Sequence, residues 1–546
     1  MTTPFGIPAQ VQPRSVVSTL IVDPTIGFDV SRSALNLPNG ATPNSDNYVM
    51  REGRLEPRPM LSKITDTAGS ANPIGAPVMG GMEVTDVAGS RYILLSYANT
   101  GGQLAYLAGL ASQWATADYA PNSVNNSPAN GVDGKDFWDW TQIFFDRADE
   151  NIAVGARFDR KPLYAWQAGA ATFSTLTGAP GARTVCAFDN YLLAANLEES
   201  GDVFVQRVRW SDRGSASSWT GGLSGFEDLL AARGGVNRLM PMESRIAVFF
   251  DDEIWTGTPV DFPGTFRFAP YDDKVGCPYP WTATATPLGI VFMARNYQLY
   301  LLPKDGGTAQ PIGQKLHRSI RDAIQQAQRA FGVYDGIRNQ YQFYYSSGGS
   351  GNAPHRAAFL QLDSGAWAPQ SFSTATAAHA VTRGFGASLP LSRGSTWDEM
   401  TQTWDSESRT WDDFLGLGNE RQHVVLGSSA GTVYGLSSTA TTDDGVSVPS
   451  YWESDALGEE WPGQQKIAQY IAVDYVAPSA SSLTVRMLQG QAFATGAGTS
   501  LHTASQISQA YAYPYTPSRY AALRVESENQ RIALHRFHVT MRVGGR

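Results

Sequence analysis

The sequence predicts an all-β protein in which a β-propeller built from hairpin repeats is followed by a C-terminal antiparallel β-sandwich. Three observations lead to this fold class. Only 17% of the 546 residues are charged, while the chain holds 54 glycines, 31 prolines and 11% aromatic residues. Short apolar segments joined by polar turns recur through most of the chain, and longer alternating segments replace them near its end. Such a composition and such patterns are typical of strands and turns.

Paired apolar segments are the repeat from which the propeller is predicted. Each pair has Asn, Asp or Gly in its turn, where positive backbone φ angles cost little, and branched or aromatic residues on both sides, which strands favour. The pairs start roughly 25 to 65 residues apart, an irregular period that fits blades with loops of different length. The eight pairs are residues 92–107, 152–166, 191–210, 246–257, 290–302, 333–346, 357–369 and 424–436.

One segment has the periodicity of a helix. In LHRSIRDAIQQAQRAFG (316–332), apolar side chains recur every three to four residues and therefore fall on one face of a helix. The pattern predicts one isolated amphipathic helix that packs on the β-structure and has no function of its own. Its apolar positions are Leu316, Ile320, Ala323, Ile324, Ala327 and Phe331.

Composition also divides the chain into three parts. Residues 1–60 are rich in proline and show little periodicity, which predicts an extended N-terminal arm. Residues 61–440 contain the hairpins and form the predicted propeller. Residues 441–546 begin with the linker-like TATTDDGVSVPS region and predict a separate antiparallel β-sandwich. The strands expected in that last domain are 469–476, 481–490, 520–528 and 531–543.

Charge and cysteine content exclude several classes of protein. The formal net charge is −9 and no basic block is present, so electrostatic binding to a nucleic-acid backbone is not expected. Cys186 and Cys277 are too few for a disulfide framework and lack zinc-ligand spacing, so we expect two buried free thiols and neither a metal nor a cofactor. The first residues lack a signal-peptide pattern and no apolar run approaches about 20 residues, which predicts synthesis in a cytoplasm.

Enzyme signatures are weak throughout the sequence. It has no dinucleotide fingerprint, phosphate loop or nucleophile elbow. The string WSDRGSASSW (210–219) partly resembles the turn motif of sialidase-type propellers, through Asp212 and Gly214. In that family the motif is a hairpin element and not the catalytic site. We therefore expect a protein that is not an enzyme. The alternative is a carbohydrate-active propeller, either a sialidase-like glycosidase or a receptor-binding lectin.

Other groups that a carbohydrate-active protein might use have simpler interpretations. The acidic pairs Asp251–Asp252 and Asp272–Asp273 are expected in solvated turns, because a glycosidase needs two carboxylates at a set separation in a cleft. Aromatic residues on a blade strand usually belong to the core, although they can also stack on a ligand. The candidates of this kind are Trp138, Trp140, Phe144 and Phe145.

The tripeptide Thr-Trp-Asp occurs three times at a spacing of seven residues in STWDEMTQTWDSESRTWDD (395–413). Thr, Trp, Asp and Ser are mediocre helix formers, so a helical heptad is disfavoured, and a spacing of seven alternates between the two faces of a strand. We interpret the segment as a turn-rich excursion in which each Asp caps a turn and each Trp anchors it. Contact with a neighbouring subunit or another partner protein and stacking on a sugar are the alternatives. The candidate contact residues are Trp397, Trp404, Trp411, Asp398, Asp405 and Asp412.

Several longer strings together resemble one protein family. GFDVSRSALNLPNGATPNSDNYVMREGRLEPRP (27–59) carries a Gly-hydrophobic-Asp start, Asn47, Val49, Gly53 and Leu55, and it ends with Arg58 and Pro59. Five further strings follow in order, at 207–219, 234–255, 275–302, 359–372 and 536–546. Together they are similar to the tail nozzle proteins of short-tailed bacteriophages, which are also called packaged-DNA stabilisation or tail hub proteins.

The resemblance implies a structural role in a virion. Nozzle proteins form a six-fold ring below the portal and its adaptor ring, retain the packaged genome and become the conduit for its ejection. The implied partners are other copies in a homohexamer, the portal or adaptor, other tail proteins and passing genomic DNA bound without sequence specificity. No small-molecule substrate is implied, and the implied location is the virion tail after synthesis in the host cytoplasm. A propeller scaffold that binds cellular proteins is a third hypothesis.

Overall fold

The computed structural model describes most of the chain and divides it into two compact units. The sandwich unit comprises residues 1–58, 364–370 and 447–546, and the propeller unit comprises residues 59–363 and 371–446. The described residues are 16–98, 103–108, 112–119, 137–144, 151–261, 264–347, 353–373, 380–388, 423–457, 464–477, 481–489, 494–503, 508–512, 517–518 and 521–543.

The first strands belong to the sandwich unit. They are Val16–Val22 (β1), Gly27–Phe28 (β2), Ala41–Thr42 (β3), Ser45–Asp46 (β4), Tyr48–Arg51 (β5) and Arg54–Pro57 (β6), with a 3-10 turn at Ala34–Asn36. In the described residues 16–58 the structure therefore has strands where an extended arm was expected for residues 1–60. Tyr48 and Leu55 lie in the hydrophobic core of this unit, and strands of only two to four residues are too short to show a clear period in sequence.

The propeller unit begins with two blades that share a sheet. Their strands are Met60–Lys63 (β7), Val78–Thr85 (β8), Arg91–Tyr97 (β9), Gln103–Leu107 (β10), Ala115–Tyr119 (β11), Trp138–Ile143 (β12), Ile152–Arg157 (β13), Tyr164–Gln167 (β14) and Thr172–Thr175 (β15). Strands β8 to β11 form the first blade and β12 to β15 the second. The outer strands β11 and β15 pair in parallel, which joins the two blades into one eight-stranded sheet.

The next three blades are separate four-stranded antiparallel sheets. The third blade consists of Gly181–Phe188 (β16), Tyr191–Glu199 (β17), Asp202–Trp210 (β18) and Gly225–Asp228 (β19). The fourth consists of Arg238–Pro241 (β20), Ile246–Phe249 (β21), Ile254–Pro259 (β22) and Phe266–Asp272 (β23). The fifth consists of Thr284–Thr286 (β24), Gly289–Met293 (β25), Leu299–Pro303 (β26) and Gln310–Pro311 (β27).

The predicted amphipathic helix is present, but it is much shorter than residues 316–332. Helix α1 spans His317–Ala323, and Ile324–Gln325 (β28) then pairs with the end of a later strand at Ser347 and Ser346. Gln326 has a left-handed φ of 50°, and a 3-10 turn follows at Ala327–Arg329. Sheet pairing and this left-handed residue end the helix, although the apolar stripe is buried at Leu316, Ile320 and Phe331 as predicted.

The last two blades complete the ring of inner strands. The sixth blade within this unit consists of Phe331–Asp335 (β29), Gln340–Ser347 (β30) and Arg356–Gln361 (β31). The next strand is Trp367–Ser371 (β32), and a boundary between the two units falls within it, after Gln370. The seventh blade consists of Val381–Ala387 (β33), His423–Ser428 (β34), Val433–Ser437 (β35) and the early strand β7. The inner strands β33 and β8 are in contact, so the ring closes.

Ring closure depends on a strand from the start of the propeller unit. Strand β7 forms the outer edge of the seventh blade and pairs with β35 in antiparallel register from Met60–Ser437 to Lys63–Tyr434. The Leu61 amide also donates to Asp443 Oδ1 at 2.8 Å, and Asp443 is fully buried. This charge-assisted hydrogen bond therefore adds to the backbone pairing that closes the ring.

The hairpin prediction is confirmed. Seven of the eight predicted pairs are antiparallel strand pairs of the propeller unit. The eighth pair, residues 357–369, falls on β31 and β32. A boundary between the two units separates these strands, after Asp363. The turns between the strands are local in sequence, so residue pattern alone is enough to find them.

The C-terminal strands complete a two-sheet sandwich. They are Pro449–Glu453 (β36), Lys466–Val476 (β37), Ser481–Gln489 (β38), Ala494–Thr503 (β39), Ser508–Ala512 (β40), Pro517–Ser518 (β41), Ala521–Glu528 (β42) and Ala533–Val543 (β43). One sheet contains β40, β37, β43, β6 and β5, with β1 on β43 and β41 on β37. The other has the order β39-β38-β42-β36-β4. Trp452 and Phe537 stack between the sheets with ring centroids 5.5 Å apart.

Within the described residues, no helix reaches the length and apolar character needed to cross a membrane.

Candidate functional site

The inner strands of the propeller unit converge on an axial cavity of about 220 Å³. Its lining includes residues of β8, β12, β20, β24, β29 and β33, so most of the blades contribute to it. The side chains with chemical interest are Trp138, Trp140, Asp139, Arg238, Trp281 and Arg383. Binding sites commonly lie where several elements converge, and this makes the cavity the first place to examine.

Trp281 fills the propeller axis next to this cavity. It lies in the buried 3-10 turn Pro280–Thr282 and is 3% exposed. The centroid of its ring system is 5.6 Å from the ring of Phe137 and 5.4 Å from the ring of Phe158. Thr282 fixes the turn, because its hydroxyl donates to the Tyr279 carbonyl at 2.7 Å and accepts from the Met293 amide. The axis of this unit is therefore packed with aromatic side chains at this level.

Two arginines flank Trp281. The Arg383 guanidinium lies 4.1 Å from the Trp281 centroid and 5.5 Å from the Phe137 centroid, while that of Arg238 lies 5.7 Å from Trp281. Nη1 of Arg238 donates to the carbonyls of Pro280 and Ala283 at 2.8 and 2.7 Å. Aromatic faces attract cations, and this attraction grows when water is excluded. The stacking explains how charged side chains are held inside an aromatic cluster.

Asp139 is the carboxylate among the charged groups on this cavity. Its Oδ1 lies 3.6 Å from Nη2 of Arg238. Its Oδ2 accepts from the Thr184 hydroxyl at 2.6 Å and from the Val185 amide at 3.3 Å. Burial, together with the nearby Arg238 charge and against the opposing effect of Asp139, lowers the pKa of the Arg383 guanidinium to about 9. Arg383 therefore stays charged at neutral pH, and two arginines share the cluster with one carboxylate.

A larger groove of about 730 Å³ lies beside the loops of the second to fifth blades. Its arginines are held by neighbouring groups. Arg183 lies 4.0 Å over the Phe158 ring, and Arg160 donates to Asn196 at 2.6 Å. Arg295 pairs with Asp252 at 2.7 Å and with Asp251 at 3.2 Å. Burial and the nearby Arg160 charge, opposed by Asp251, lower the pKa of Arg183 to about 10. The groove is polar, and its charges already have partners.

The six candidate contact residues of the Thr-Trp-Asp repeats lie outside the described residues. Trp397, Trp404, Trp411, Asp398, Asp405 and Asp412 all fall within residues 389–422. Their role as a subunit or partner contact stays a prediction.

The residues considered for sugar chemistry have structural roles. Asp212 follows β18, where its Oδ1 accepts from the amides of Arg213 and Leu223 at 3.0 and 2.8 Å, so it organises a turn. Asp251 and Asp252 are the partners of Arg295, and Asp272 accepts from the amides of Lys274 and Ala309. In the part of the chain that the structure describes, no group of His, Cys, Asp and Glu is placed to hold a metal ion.

The aromatic candidates separate into two kinds. Trp138 and Trp140 stack with centroids 5.3 Å apart and an interplanar angle of 11°, and both line the axial cavity. Trp138 is 2% exposed, as a core residue would be, whereas the Phe144 side chain is 55% exposed. Phe145 lies outside the described residues.

The N-terminal string of the family resemblance forms a polar node in the sandwich unit. Arg58 is fully buried and its Nε donates to Asn47 Oδ1 at 3.0 Å. Asn47 has a left-handed φ of 60° and donates from its Nδ2 to the Pro449 carbonyl at 2.8 Å. Gly53 has a φ of 75° in the turn between β5 and β6, which favours glycine. These motif positions are therefore constrained by the fold.

Sequence reasoning did not find the axial arginines. A signal was present, because Arg383 stands in the mainly uncharged strand VTRGFGA and is only 8% exposed, an unusual place for a charge. The position of that strand at the propeller axis depends on contacts between distant blades, which a local pattern does not give.

Comparisons with known proteins add little to this geometry. No family model and no curated protein matches the sequence. One matching solved structure is a crystal structure of an arginine-to-alanine triple mutant of AofleA from Arthrobotrys oligospora. The match has 11% sequence identity and a TM-score of 0.31, and it covers 56% of this chain and 92% of that chain. A likeness of this size supports no inference about function.

Both cysteines are expected to be unreactive in the folded protein. Cys186 and Cys277 are free and buried, as predicted from the sequence. Burial raises the pKa of the Cys186 thiol well above its ordinary value and that of Cys277 to about 12, so neither forms a thiolate near neutral pH. We expect Ellman's reagent at pH 8 to label neither thiol in the native protein and both after denaturation in guanidinium. Rapid labelling of the native protein would contradict the buried placement.

Proposed function

We propose that the protein is a structural component of a bacteriophage tail, a nozzle or hub protein that assembles into a ring below the portal and adaptor. In this role it retains packaged DNA and forms part of the conduit through which the DNA leaves. The observation that carries the proposal is the order of the family-like strings, which follow one another along the chain from residue 27 to residue 546.

The polar node of the sandwich unit supports this interpretation of the N-terminal string. Asn47 and Arg58 are buried partners, and Gly53 supplies the positive φ of the turn between them. Residues with such roles are hard to replace, because removing one leaves the other buried without its hydrogen bond. The shared positions thus coincide with physical constraints.

The packed propeller axis limits how a conduit can be built. Trp281, Phe137 and Phe158 fill the axis, and the cavity beside them holds only about 220 Å³. A DNA duplex cannot pass through such a space, so the passage in this proposal runs between copies arranged in a ring. A closed ring requires a heterologous interface, in which two different surfaces of the chain meet. The net charge of −9 suits a wall that does not retain DNA.

The third blade offers a surface for such an interface. Its outer strands β18 and β19 and the residues after them expose large apolar side chains, with Val203 at 52%, Phe226 at 54% and Leu230 at 78% exposure. Arg207 lies between the rings of Phe204 and Phe226, 3.8 and 4.1 Å from their centroids, which keeps these rings in place. In this proposal the third blade meets a different face of the next copy in the ring.

Negative-stain microscopy with light scattering on the purified chain tests the proposal. We expect closed rings with a mass of roughly 350 kDa, six times the chain mass of 59.0 kDa. Replacing Phe226 and Leu230 with serine should reduce the ring fraction, whereas the matched change Val87→Ser, at a residue that is 69% exposed on the first blade, should not. A chain that stays monomeric and binds or cleaves a defined glycan would favour the carbohydrate-active alternative.

A further inference from the structure

The Arg383 guanidinium is a buried donor without an acceptor. The side chain is 8% exposed and lines the axial cavity. Its guanidinium carbon lies 4.1 Å from the ring centroid of Trp281 and 5.5 Å from that of Phe137. Among the described residues, no carbonyl, hydroxyl or carboxylate accepts a hydrogen bond from this guanidinium. An arginine presents five donors, so this side chain can hold an anion that enters the cavity.

Arg238 adds to the shortage of acceptors. Its Nη1 is satisfied by two carbonyls, but its Nε is buried and has no hydrogen-bond partner within the described residues. Asp139 does not fill the gap, because one of its oxygens is committed to Thr184 and Val185 and the other lies 3.6 Å from Arg238. Both arginines line the same cavity, and Arg383 has no acceptor of its own among the described residues.

The charges around the cavity point in the same direction. Arg238 and Arg383 interact unfavourably with each other, and Asp139 is the carboxylate that interacts with both. Buried charges are usually paired, because an isolated charge in a low-dielectric surrounding is strongly disfavoured. One further negative charge between the two guanidinium groups would neutralise the cluster and supply the missing acceptors.

We propose that the axial cavity is a binding site for a small oxyanion, a carboxylate or a phosphate, held by Arg383 with the help of Arg238. The planar guanidinium fork matches the paired oxygens of both groups. The stacked pair Trp138–Trp140 also lines the cavity.

The size of the cavity restricts the ligand. A cavity of about 220 Å³ suits a small anion. The site lies within one propeller unit, and it requires neither a ring nor a tail. The inference is therefore independent of the proposed virion role.

Equilibrium dialysis of the full chain against radiolabelled acetate and, separately, radiolabelled phosphate at constant ionic strength tests the site. We expect saturable binding of one equivalent of at least one probe, and the probe that binds identifies the chemical group. Arg383→Met, which keeps the length of the side chain and removes its charge, should weaken binding at least about tenfold, the loss expected for a hydrogen-bonded charge. Arg318→Met, at an exposed residue of α1, is the matched control and should leave binding unchanged.

A second variant keeps the test decisive if Arg383→Met folds poorly. Arg383→Lys retains the charge but loses the fork, so we expect an affinity between those of the wild type and Arg383→Met. Circular dichroism of each variant establishes that it is folded before binding is measured. The proposal is overturned if the wild-type chain shows no saturable binding of either probe up to about 10 mM, a range that covers weak sites. Equal binding by the wild type and a folded Arg383 variant would overturn it as well.

Discussion

Replacing Arg338 with alanine should destabilise the protein by about 3–5 kcal/mol, because it leaves a buried carboxylate without its cation. Asp335 is fully buried, and its Oδ2 lies 2.8 Å from Nη1 of Arg338, which is itself 8% exposed. Nη2 of Arg338 also donates to the Leu436 carbonyl and to the Ser438 hydroxyl. The pair therefore connects the turn of the sixth blade to the end of β35, next to the strand that closes the ring.

Urea unfolding followed by far-UV circular dichroism measures this loss. Arg318→Ala is the control, since Arg318 is 77% exposed and its pair with Asp322 has an N–O distance of 3.9 Å, so a change below about 0.5 kcal/mol is expected. The double variant Asp335→Asn with Arg338→Ala removes the buried charge together with its partner and should recover part of the loss. A cost below about 1 kcal/mol for Arg338→Ala alone would show that the pair is not buried as described.

Replacing Trp452 with alanine should have a comparable effect on the sandwich unit, about 3–5 kcal/mol. Trp452 is fully buried on β36 and stacks on Phe537 of β43, with an angle of 9° between the ring planes. Removing the indole leaves a large cavity between the two sheets, and the surrounding side chains can collapse into it only in part. The same unfolding measurement reports the change.

Trp452→Phe is the informative companion to this variant. The Trp452 Nε1 has no hydrogen-bond partner within the described residues, so phenylalanine loses ring area but breaks no recorded bond. We expect a loss of about 1–2 kcal/mol, clearly smaller than that of alanine. Val17→Ala on β1, at a side chain that is 59% exposed, should be nearly neutral. Equal losses for Trp452→Phe and Trp452→Ala would indicate that the stacking does not carry the stability.

The hairpins were predictable because both of their strands and the turn lie within about 20 residues of one another. The helix prediction was only partly correct, because Leu316, Ile320 and Phe331 are buried as expected but the backbone is helical only to Ala323. Pairing of Ile324 with Ser347 decides where the helix ends, and that partner is not visible in the local pattern. Tertiary context overrides helix propensity at this position.

Features that join distant parts of the chain were not predictable in the same way. Residues 1–60 lack a period, yet Tyr48 and Leu55 share a core with Val539, near the opposite end of the chain. The axial cluster has the same character, because Asp139, Arg238 and Arg383 come from three blades and meet only when the ring is complete. Sequence composition had indicated the class of fold, but the candidate site depends on which strand of each blade lies innermost.

Strand β7 has a consequence for how the chain is made. During synthesis Met60–Lys63 leaves the ribosome before the blades, while its partner Val433–Ser437 follows hundreds of residues later. Until then its backbone hydrogen-bonding groups have no native partner, and an unpaired strand edge is prone to associate with other chains. Contacts of such long sequence separation form slowly. Ring closure is thus a late event in synthesis. A nascent chain that stops before residue 433 carries every hairpin up to the sixth blade but lacks the strand with which β7 pairs.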